Sequence, residues 1–145
     1  MPERETIERA EEDAREGKSP STQAGEFVRE EIHHVREGKH GARSPQQAIA
    51  IGLSKARRAG VKLGAPKGPA LVRRKAEQDT EAGKRPGGRT SRTRSRTVSA
   101  ALKRESRSSA SRRSISQQAR KSAAKRGKQA RRAAAVKAAR TRKAG

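Results

Sequence analysis

The last 63 residues place the strongest constraint on what this chain can fold into. Residues 83–145 contain 22 Lys or Arg and one acid, Glu105, and they include no aromatic residue, no Cys and no His. Too little apolar surface is present to offset the entropy that such a segment loses on ordering. The same charge attracts a polyanion. We therefore predict a small folded head that carries a long cationic tail.

The distribution of charge also separates an N-terminal head from a basic C-terminal tail. Residues 1–64 hold 12 basic and 11 acidic groups, whereas residues 65–145 hold 26 basic and 4 acidic groups. Hydrophobic residues make up 29% of the chain and Phe27 is its one aromatic residue, so any folded core is small. The predicted fold class is mostly α with extensive disorder: a small helical hairpin head and a long, basic, low-complexity tail that becomes helical on binding.

Shifts in composition mark five segments along the chain. They are an acidic N-terminal segment (1–20), a helical hairpin head (21–63), a linker (64–88), an Arg/Ser-rich disordered segment (89–115) and an Ala/Lys/Arg-rich tail (116–145). The acidic segment has a thin apolar stripe and allows two interpretations: a solvated segment, or an internal mimic of nucleic acid that docks on the basic tail. Within the tail, like charges favour coil in the free chain and helix on a polyanion, with a break near Gly127.

Two helices are predicted in the head. The first is capped by Ser21 or Thr22 and stops at Gly38, with an apolar stripe that includes Phe27 and Val35. A short connector to the next helix makes the pair an antiparallel hairpin. A head of about 40 residues is marginal in isolation, so we expect it to form a homodimer or to fray.

The second helix has the clearest local signal in the sequence. Ser44 at the N-cap, Pro45 at N1 and Gln47 at N3 form a capping box, and the helix is predicted to end near Ala59. A glycine inside a helix lowers its stability, and we interpret Gly52 as a point where the two helices approach closely.

Basic side chains are the predicted nucleic-acid contacts. Those of the tail are Arg89, Arg92, Arg94, Arg96, Lys103, Arg104, Arg107, Arg112, Arg113, Arg120, Lys121, Lys125, Arg126, Lys128, Arg131, Arg132, Lys137, Arg140, Arg142 and Lys143. In the head, two interpretations stay open for the basic end of the second helix: contact with a phosphate backbone, or stabilisation by the helix dipole. The residues concerned are Lys55, Arg57, Arg58 and Lys62.

The tail predicts binding to phosphates without a sequence preference. Contact with about 8 phosphates gives a log–log salt slope near −7 on duplex DNA. A flexible tail positions no side chain against a base edge, and without aromatic side chains it offers no platform for base stacking. The expected partner is duplex DNA, with structured RNA as the alternative.

Other chemistry finds little support in the sequence. The absence of Cys removes disulfides, thiolate ligands and Cys nucleophiles, and no apolar run approaches the length of a membrane span. His33 and His34 are helix neighbours that point about 100° apart, so they do not readily share a metal. The alternative for His33, His34 and His40 is that all three face solvent beside the connector. Glu30 or Glu37 adds a ligand to one of them, short of the three or four that a site needs. We predict no metal, no cofactor, no catalytic residue and no membrane partner.

One segment carries a resemblance to known proteins. Residues 22–63 include REGKHGARS and, three residues later, QAIAIGLSKARRAG, and this core resembles a family of small basic bacterial proteins. Members of that family are described as uncharacterised or as candidate DNA-binding proteins. The resemblance implies a bacterial, cytosolic origin and transfers no site residues. The tail is also similar in composition to the tails of linker histones and of some bacterial nucleoid proteins.

The sequence thus predicts a non-enzymatic, histone-like or nucleoid-associated protein of the bacterial cytoplasm that binds DNA through its tail, largely without sequence specificity. Two alternatives remain: an RNA- or ribosome-associated basic protein, and a protein-interaction module for which the tail is an anchor.

Overall fold

The computed structural model describes residues 2–85, 87 and 91–145, and these residues form helices without strands. The α-helices are α1 (Arg4–Arg15), α2 (Pro20–Glu37), α3 (Pro45–Arg58), α4 (Ala70–Lys84), α5 (Arg92–Lys103), α6 (Arg112–Lys125) and α7 (Gly127–Ala144). A short 3-10 turn, Ser108–Ala110, precedes α6. The predicted mostly-α class is confirmed. Among the described residues, no helix combines the length and apolarity needed to cross a membrane.

The chain divides into an N-terminal unit, residues 1–110, and a C-terminal unit, residues 111–145. The boundary therefore lies well beyond residue 63, where the sequence placed the end of the head. The difference arises because α4 and the segment 102–110 both pack on the hairpin and cover apolar side chains that the hairpin alone leaves open.

Helix α2 begins two to three residues earlier than the sequence predicted. Its N-cap is Ser19, whose hydroxyl accepts a hydrogen bond from the backbone N–H of Thr22 at 3.3 Å. Pro20 occupies the first helical position, where its fixed φ suits the helix and its missing N–H is not needed. The predicted stop is confirmed at Gly38, which adopts a left-handed φ of 79°.

The predicted cap of α3 is confirmed in its first half. Ser44 Oγ accepts from the backbone N–H of Gln47 at 3.2 Å, and Pro45 follows the cap. The Gln47 side chain reaches back one residue farther than a capping box requires and accepts from the N–H of Arg43 at 2.7 Å. The helix ends at Arg58 with Ala59 as its C-cap, as predicted.

The core consists of two small clusters of mostly short side chains. The first contains the buried residues Ala10, Ala24, Phe27, Ala56 and Val61, packed with the half-buried Ile7, Leu53 and Leu63. The second contains Val35, Ala42, Ala48 and Ala110, packed with Ile32. Helix α1 contributes to the first cluster, so the acidic segment is part of the folded unit and its apolar stripe packs on α2.

Gly52 lies where α3 approaches the backbone of α2, as the sequence predicted. A Cβ atom at this position would lie 2.6 Å from Val28 Cα and 2.9 Å from Val28 N. Backbone atoms cannot move aside as a flexible side chain can, so a larger residue at position 52 forces the two helices apart.

Part of the predicted linker is a packed helix. Helix α4 contacts α3 through Ala76 and Asp79, both of which are buried. Gly83 meets the carbonyl oxygen of Arg57 so closely that a Cβ would overlap it. The sequence assigned residues 64–88 to a linker and gave no packing face within it. The contact with α3 is made by one alanine and one carboxylate, which leave no apolar stripe in the sequence.

Residues 102–110, predicted as disordered, dock on the connector between α2 and α3. The backbone N–H groups of Gly41 and Ala42 donate to the carbonyl oxygens of Leu102 and Ser106 at 2.8 and 3.0 Å. Ala110 is fully buried in the second core cluster. This segment covers apolar surface of the hairpin from within the chain, and a homodimer through the head stays a prediction.

The C-terminal unit consists of α6 and α7. Residues 111–145, all of which the structure describes, include no buried residue. The predicted break is confirmed at Gly127, which has a φ of 76° between the two helices. The structure thus shows helices α6 and α7 where the sequence predicted coil in the free chain, and neither helix contains a buried residue.

The close approach at Gly52 gives a first prediction. Gly52→Ala should lower the free energy of unfolding by about 1–3 kcal/mol, because its Cβ meets the backbone of Val28. Gly25→Ala is the matched control, since a Cβ there meets nothing within 4 Å. It should raise stability by about 0.5–1 kcal/mol through the lower entropy of alanine in the unfolded chain. Urea unfolding followed by circular dichroism measures both, and equal effects of the two variants would contradict the packing described.

Candidate nucleic-acid interface

The C-terminal unit is a purely cationic surface. Residues 111–145 contain 13 Lys or Arg and no acid, so this unit offers its cations no carboxylate side chain. Twelve of the cations lie on α6 and α7, and Arg126 joins the two helices. Every one is exposed.

The cations of this unit are spread around the helices instead of forming one stripe. At about 100° per residue, Lys128, Arg132 and Lys143 of α7 lie within about 60° of one another, whereas Lys137 points to the opposite side. A single duplex touches one side of a helix at a time. This arrangement therefore leaves cations free to meet a second phosphate backbone.

Charge placement weakens these helices in the absence of an anion. Arg112 and Arg113 occupy the first turn of α6, where the positive end of the helix dipole disfavours cations. Ser111 Oγ caps that turn by accepting from the N–H of Ser114 at 3.1 Å. Arg142 and Lys143 sit favourably in the last turn of α7. Cap and dipole contributions are small beside the mutual repulsion of the unit's 13 cations.

The remaining tail residues on the predicted list fall into three groups. Those that are exposed on or just after α5 are Arg92, Arg94, Arg96, Lys103 and Arg104. Arg107 has a structural contact, since its Nη2 donates to the carbonyl oxygen of Arg36 at 2.6 Å and its guanidinium lies over Gly38. Arg89 lies outside the described residues.

Three of the four cations predicted as head contacts are engaged inside the N-terminal unit. Lys55 Nζ lies 2.6 Å from Glu31 Oε2, and the Arg57 guanidinium donates to the carbonyl oxygen of Gly64 at 3.0 Å. Arg58 Nε donates to Asp79 at 2.8 Å. Lys62 is exposed. The sequence could not reveal these partners, because each lies in a segment that was predicted as linker or on another helix.

Asp79 is the centre of the contact between α3 and α4. Its carboxylate accepts hydrogen bonds from Ser54 at 2.6 Å, Arg58 at 2.8 Å and Lys75 at 2.6 Å, and 3% of the side chain is exposed. Burial by itself raises the pKa of Asp79. Hydrogen bonds from Lys75, Ser54 and Arg58 outweigh burial, so the pKa lies below its ordinary value.

A second polar network links the N-terminus to α2 and its connector. The hydrogen bond with His34 and the contact with Lys39 lower the pKa of Glu3, and the pKa of Lys39 is raised chiefly by the same carboxylate. His34 Nε2 lies 2.9 Å from Glu3 Oε1, and His40 Nε2 lies 2.6 Å from Glu31 Oε1. Only His33 faces solvent to the extent expected of all three histidines, beside Glu37 at 2.8 Å.

The sequence also missed cations that the structure exposes. Arg73 and Arg74 lie on the solvent side of α4, away from Ala76 and Asp79. They were assigned to a linker because the segment 70–84 shows no apolar periodicity. The signal that could have found the helix is its run of good helix formers, since Ala, Leu, Arg, Lys, Glu and Gln predominate there.

Comparisons of the chain with protein-family models, with curated proteins and with solved structures give no match.

Asp79→Asn gives a second prediction. The substitution removes a buried charge that accepts three hydrogen bonds, and it should lower the free energy of unfolding by about 1.5–3 kcal/mol near neutral pH. Because the folded-state pKa of Asp79 lies below its unfolded value, its stabilisation is fully present above the unfolded pKa and disappears as pH falls through the folded pKa. The difference in the free energy of unfolding between wild type and Asp79→Asn should therefore disappear as pH falls below about 4.

Glu81→Gln on the same helix is the matched control for Asp79→Asn. Its carboxylate is exposed, and contact with Lys84 lowers its pKa at the surface. Removing that charge should leave the unfolding midpoint unchanged at neutral pH. Thermal unfolding across a pH series measures both variants. An Asp79→Asn gap that persists in acid would show that the carboxylate charge is not its source.

Proposed function

We propose that this protein is a non-enzymatic, histone-like DNA-binding protein that neutralises phosphates through its C-terminal helices, largely without sequence specificity. The observation that carries this proposal is the separation of charge partners between the two units. In the N-terminal unit, Lys55 and Arg58 pair with buried carboxylates, and Lys39 pairs with Glu3. In the C-terminal unit, 13 cations have no acid in their own segment. Unpaired cations of this density bind polyphosphate by releasing its condensed counterions.

The spread of cations around α6 and α7 supports a role in bridging duplexes. A helix with Lys128 and Lys137 on opposite sides can contact one phosphate backbone and present charge to another. The N-terminal unit carries further exposed cations of its own on α5. The resemblance of residues 22–63 to candidate DNA-binding proteins of bacteria points in the same direction, toward a protein of the bacterial nucleoid.

We further infer that α6 and α7 exchange with coil in the free chain and become stable helices on a polyanion. They have 14 and 18 residues and no buried side chain to hold them. Isolated helices of this length are marginal in water even with good helix formers, and uncompensated like charges weaken them further. Phosphates remove that repulsion.

Circular dichroism tests this inference as a third prediction. Addition of duplex DNA at low salt should increase the helical ellipticity. The largest expected increase corresponds to all residues of α6 and α7 changing from coil to helix. A chain that ends at Ala110 should show a much smaller gain, because α1 to α4 are held by packing and only α5, which has no buried residue, can gain helix on DNA. A full chain that is already fully helical without DNA would contradict the coupling of folding to binding.

A salt series provides the decisive test of the proposed function. The full chain should bind duplex DNA with a log–log salt slope near −7, which corresponds to about 8 phosphate contacts. Replacing the seven cations of α7 by Gln should reduce the magnitude of the slope by up to about 6. Exchanging Lys and Arg at those positions keeps the charge and should preserve the slope.

The same titration distinguishes the alternatives. Equal or tighter binding to structured RNA at matched salt would favour an RNA- or ribosome-associated protein. A chain that ends at Ala110 and binds duplex as well as the full chain would overturn the role given to the C-terminal unit. The cut belongs after residue 110 because removal of residues 102–110 exposes Val35 and Ala48 of the second core cluster.

A further inference from the structure

Two imidazoles and a buried carboxylate meet between α2 and the connector to α3. One nitrogen or oxygen atom from each of Glu31, His34 and His40 lies within 4.8 Å of the other two. The side chain of Glu31 is 1% exposed, and those of His34 and His40 are 12% and 16% exposed. We propose that these three side chains bind a divalent transition-metal ion, with Zn²⁺ as the ion to test first.

The hydrogen bond of His40 to its own connector fixes which ring nitrogen faces the cluster. Nδ1 lies 2.8 Å from the carbonyl oxygen of Gly41, which accepts and cannot donate, so Nδ1 carries a proton. In a neutral imidazole, Nε2 then has a lone pair, and it lies 2.6 Å from Glu31 Oε1. Two acceptors repel at this distance, so either the ring carries a second proton or the two atoms separate to about 3.3 Å around a metal ion. Ligating histidines commonly donate their other N–H to a backbone carbonyl in this way.

The second oxygen of Glu31 already has a partner on α3. Lys55 Nζ lies 2.6 Å from Oε2, so the carboxylate bridges the two helices and points Oε1 toward His40. Lys55 partly neutralises the carboxylate and positions it. This contact leaves one oxygen of Glu31 for a metal.

The neighbouring carboxylate of Glu30 adds negative charge beside His34. Its Oε1 accepts a hydrogen bond from the backbone N–H of Glu3 at 3.0 Å and lies 3.7 Å from His34 Nε2, and its Oε2 is buried without a hydrogen-bond donor among the described residues. The carboxylates of Glu3, Glu30 and Glu31 outnumber the ammonium groups of Lys39 and Lys55 by one, and either a second proton on an imidazole or a metal ion balances that charge. A metal ion beside His34 supplies the positive charge that this partly buried cluster lacks.

The ligand types favour a transition metal over Ca²⁺ or Mg²⁺. Imidazole nitrogen suits Zn²⁺, Cu²⁺, Fe²⁺ and Ni²⁺, whereas the alkaline-earth ions take oxygen ligands. Two ligand atoms on a tetrahedral Zn²⁺ lie about 3.3 Å apart, so binding requires side-chain shifts on the order of 1 Å. A water molecule would complete four-coordination.

The site joins α2 to the connector that receives residues 102–110. His40 directly precedes Gly41 and Ala42, whose N–H groups donate to Leu102 and Ser106. A metal bound to Glu31, His34 and His40 would therefore hold that docking surface in place and raise the unfolding temperature of the N-terminal unit.

Imidazole NMR on the full chain tests the proposal without any substitution. The chain has three histidines, so long-range ¹H–¹⁵N spectra resolve each ring and report its tautomer. Zn²⁺ added to the chelator-treated protein should shift His34 and His40 and saturate at one ion per chain, with His33 unchanged. The absence of any shift, or an equal shift of all three rings, would overturn the site. If both ring nitrogens of His40 stay protonated in excess Zn²⁺, a second proton explains the 2.6 Å contact with Glu31. That result would also overturn the proposed metal site.

Calorimetric titration of variants identifies the ligands. His34→Gln and His40→Gln should each weaken Zn²⁺ binding at least about 10-fold, because loss even of a group that orients a ligand has an effect of this size. His33→Gln is the matched control on the same helix and should bind Zn²⁺ like the wild type. Each variant is first checked for wild-type helix content by circular dichroism. A folded His34→Gln that retains full affinity would contradict the proposal, and the NMR experiment decides if that variant does not fold.

Discussion

The N-terminal unit depends on the close approach of helix backbones. The chain has one aromatic residue, and most of the buried apolar residues are alanines. Ala24, Ala48 and Ala56 are completely inaccessible to solvent. Short side chains bury little area each, so the helices must lie near one another to exclude water. Gly52 and Gly83 permit this approach on two sides of α3. Close packing of the helices thereby compensates for the small volume of the buried side chains.

Close approach brings ionic groups into the interior as well as apolar ones. Asp79 connects α4 to α3 through three hydrogen-bond partners, and Glu31 connects α2 to α3 and the connector through two ion-pair partners. A core built from larger apolar residues would place Leu or Ile at such positions. Breaking such a contact on one side leaves an uncompensated charge, which is more costly than the net gain from forming it. These carboxylates therefore act as selective connections between particular helices. They also keep the cations of the head away from external phosphates.

The two units differ in the carboxylates that are available to their cations. In the N-terminal unit, carboxylates are sufficiently abundant to pair many cations, and polar groups contribute to the fold. In the C-terminal unit, the cations have no carboxylate side chain of their own segment, and the helices lack a core. In the proposed function, an external polyanion supplies the negative charge that this unit lacks. The need of each cation for a nearby negative charge thus contributes to folding in the N-terminal unit and to the proposed DNA binding in the C-terminal unit.

The sequence by itself determined the helical class, the caps at Ser44 and Gly38, the break at Gly127 and the concentration of cations in the tail. These properties depend on local backbone preferences and on composition, which residues nearby in the chain decide. Tertiary structure alone decided that α4 and residues 102–110 belong to the head, and that His40 meets Glu31 while His33 does not. Those contacts depend on single alanines, glycines and charged groups that come together from distant segments, and they leave no periodic pattern in the sequence. The buried partners of Lys55 and Arg58 became visible in the same way, because an ion pair between distant residues has no signature in either segment alone.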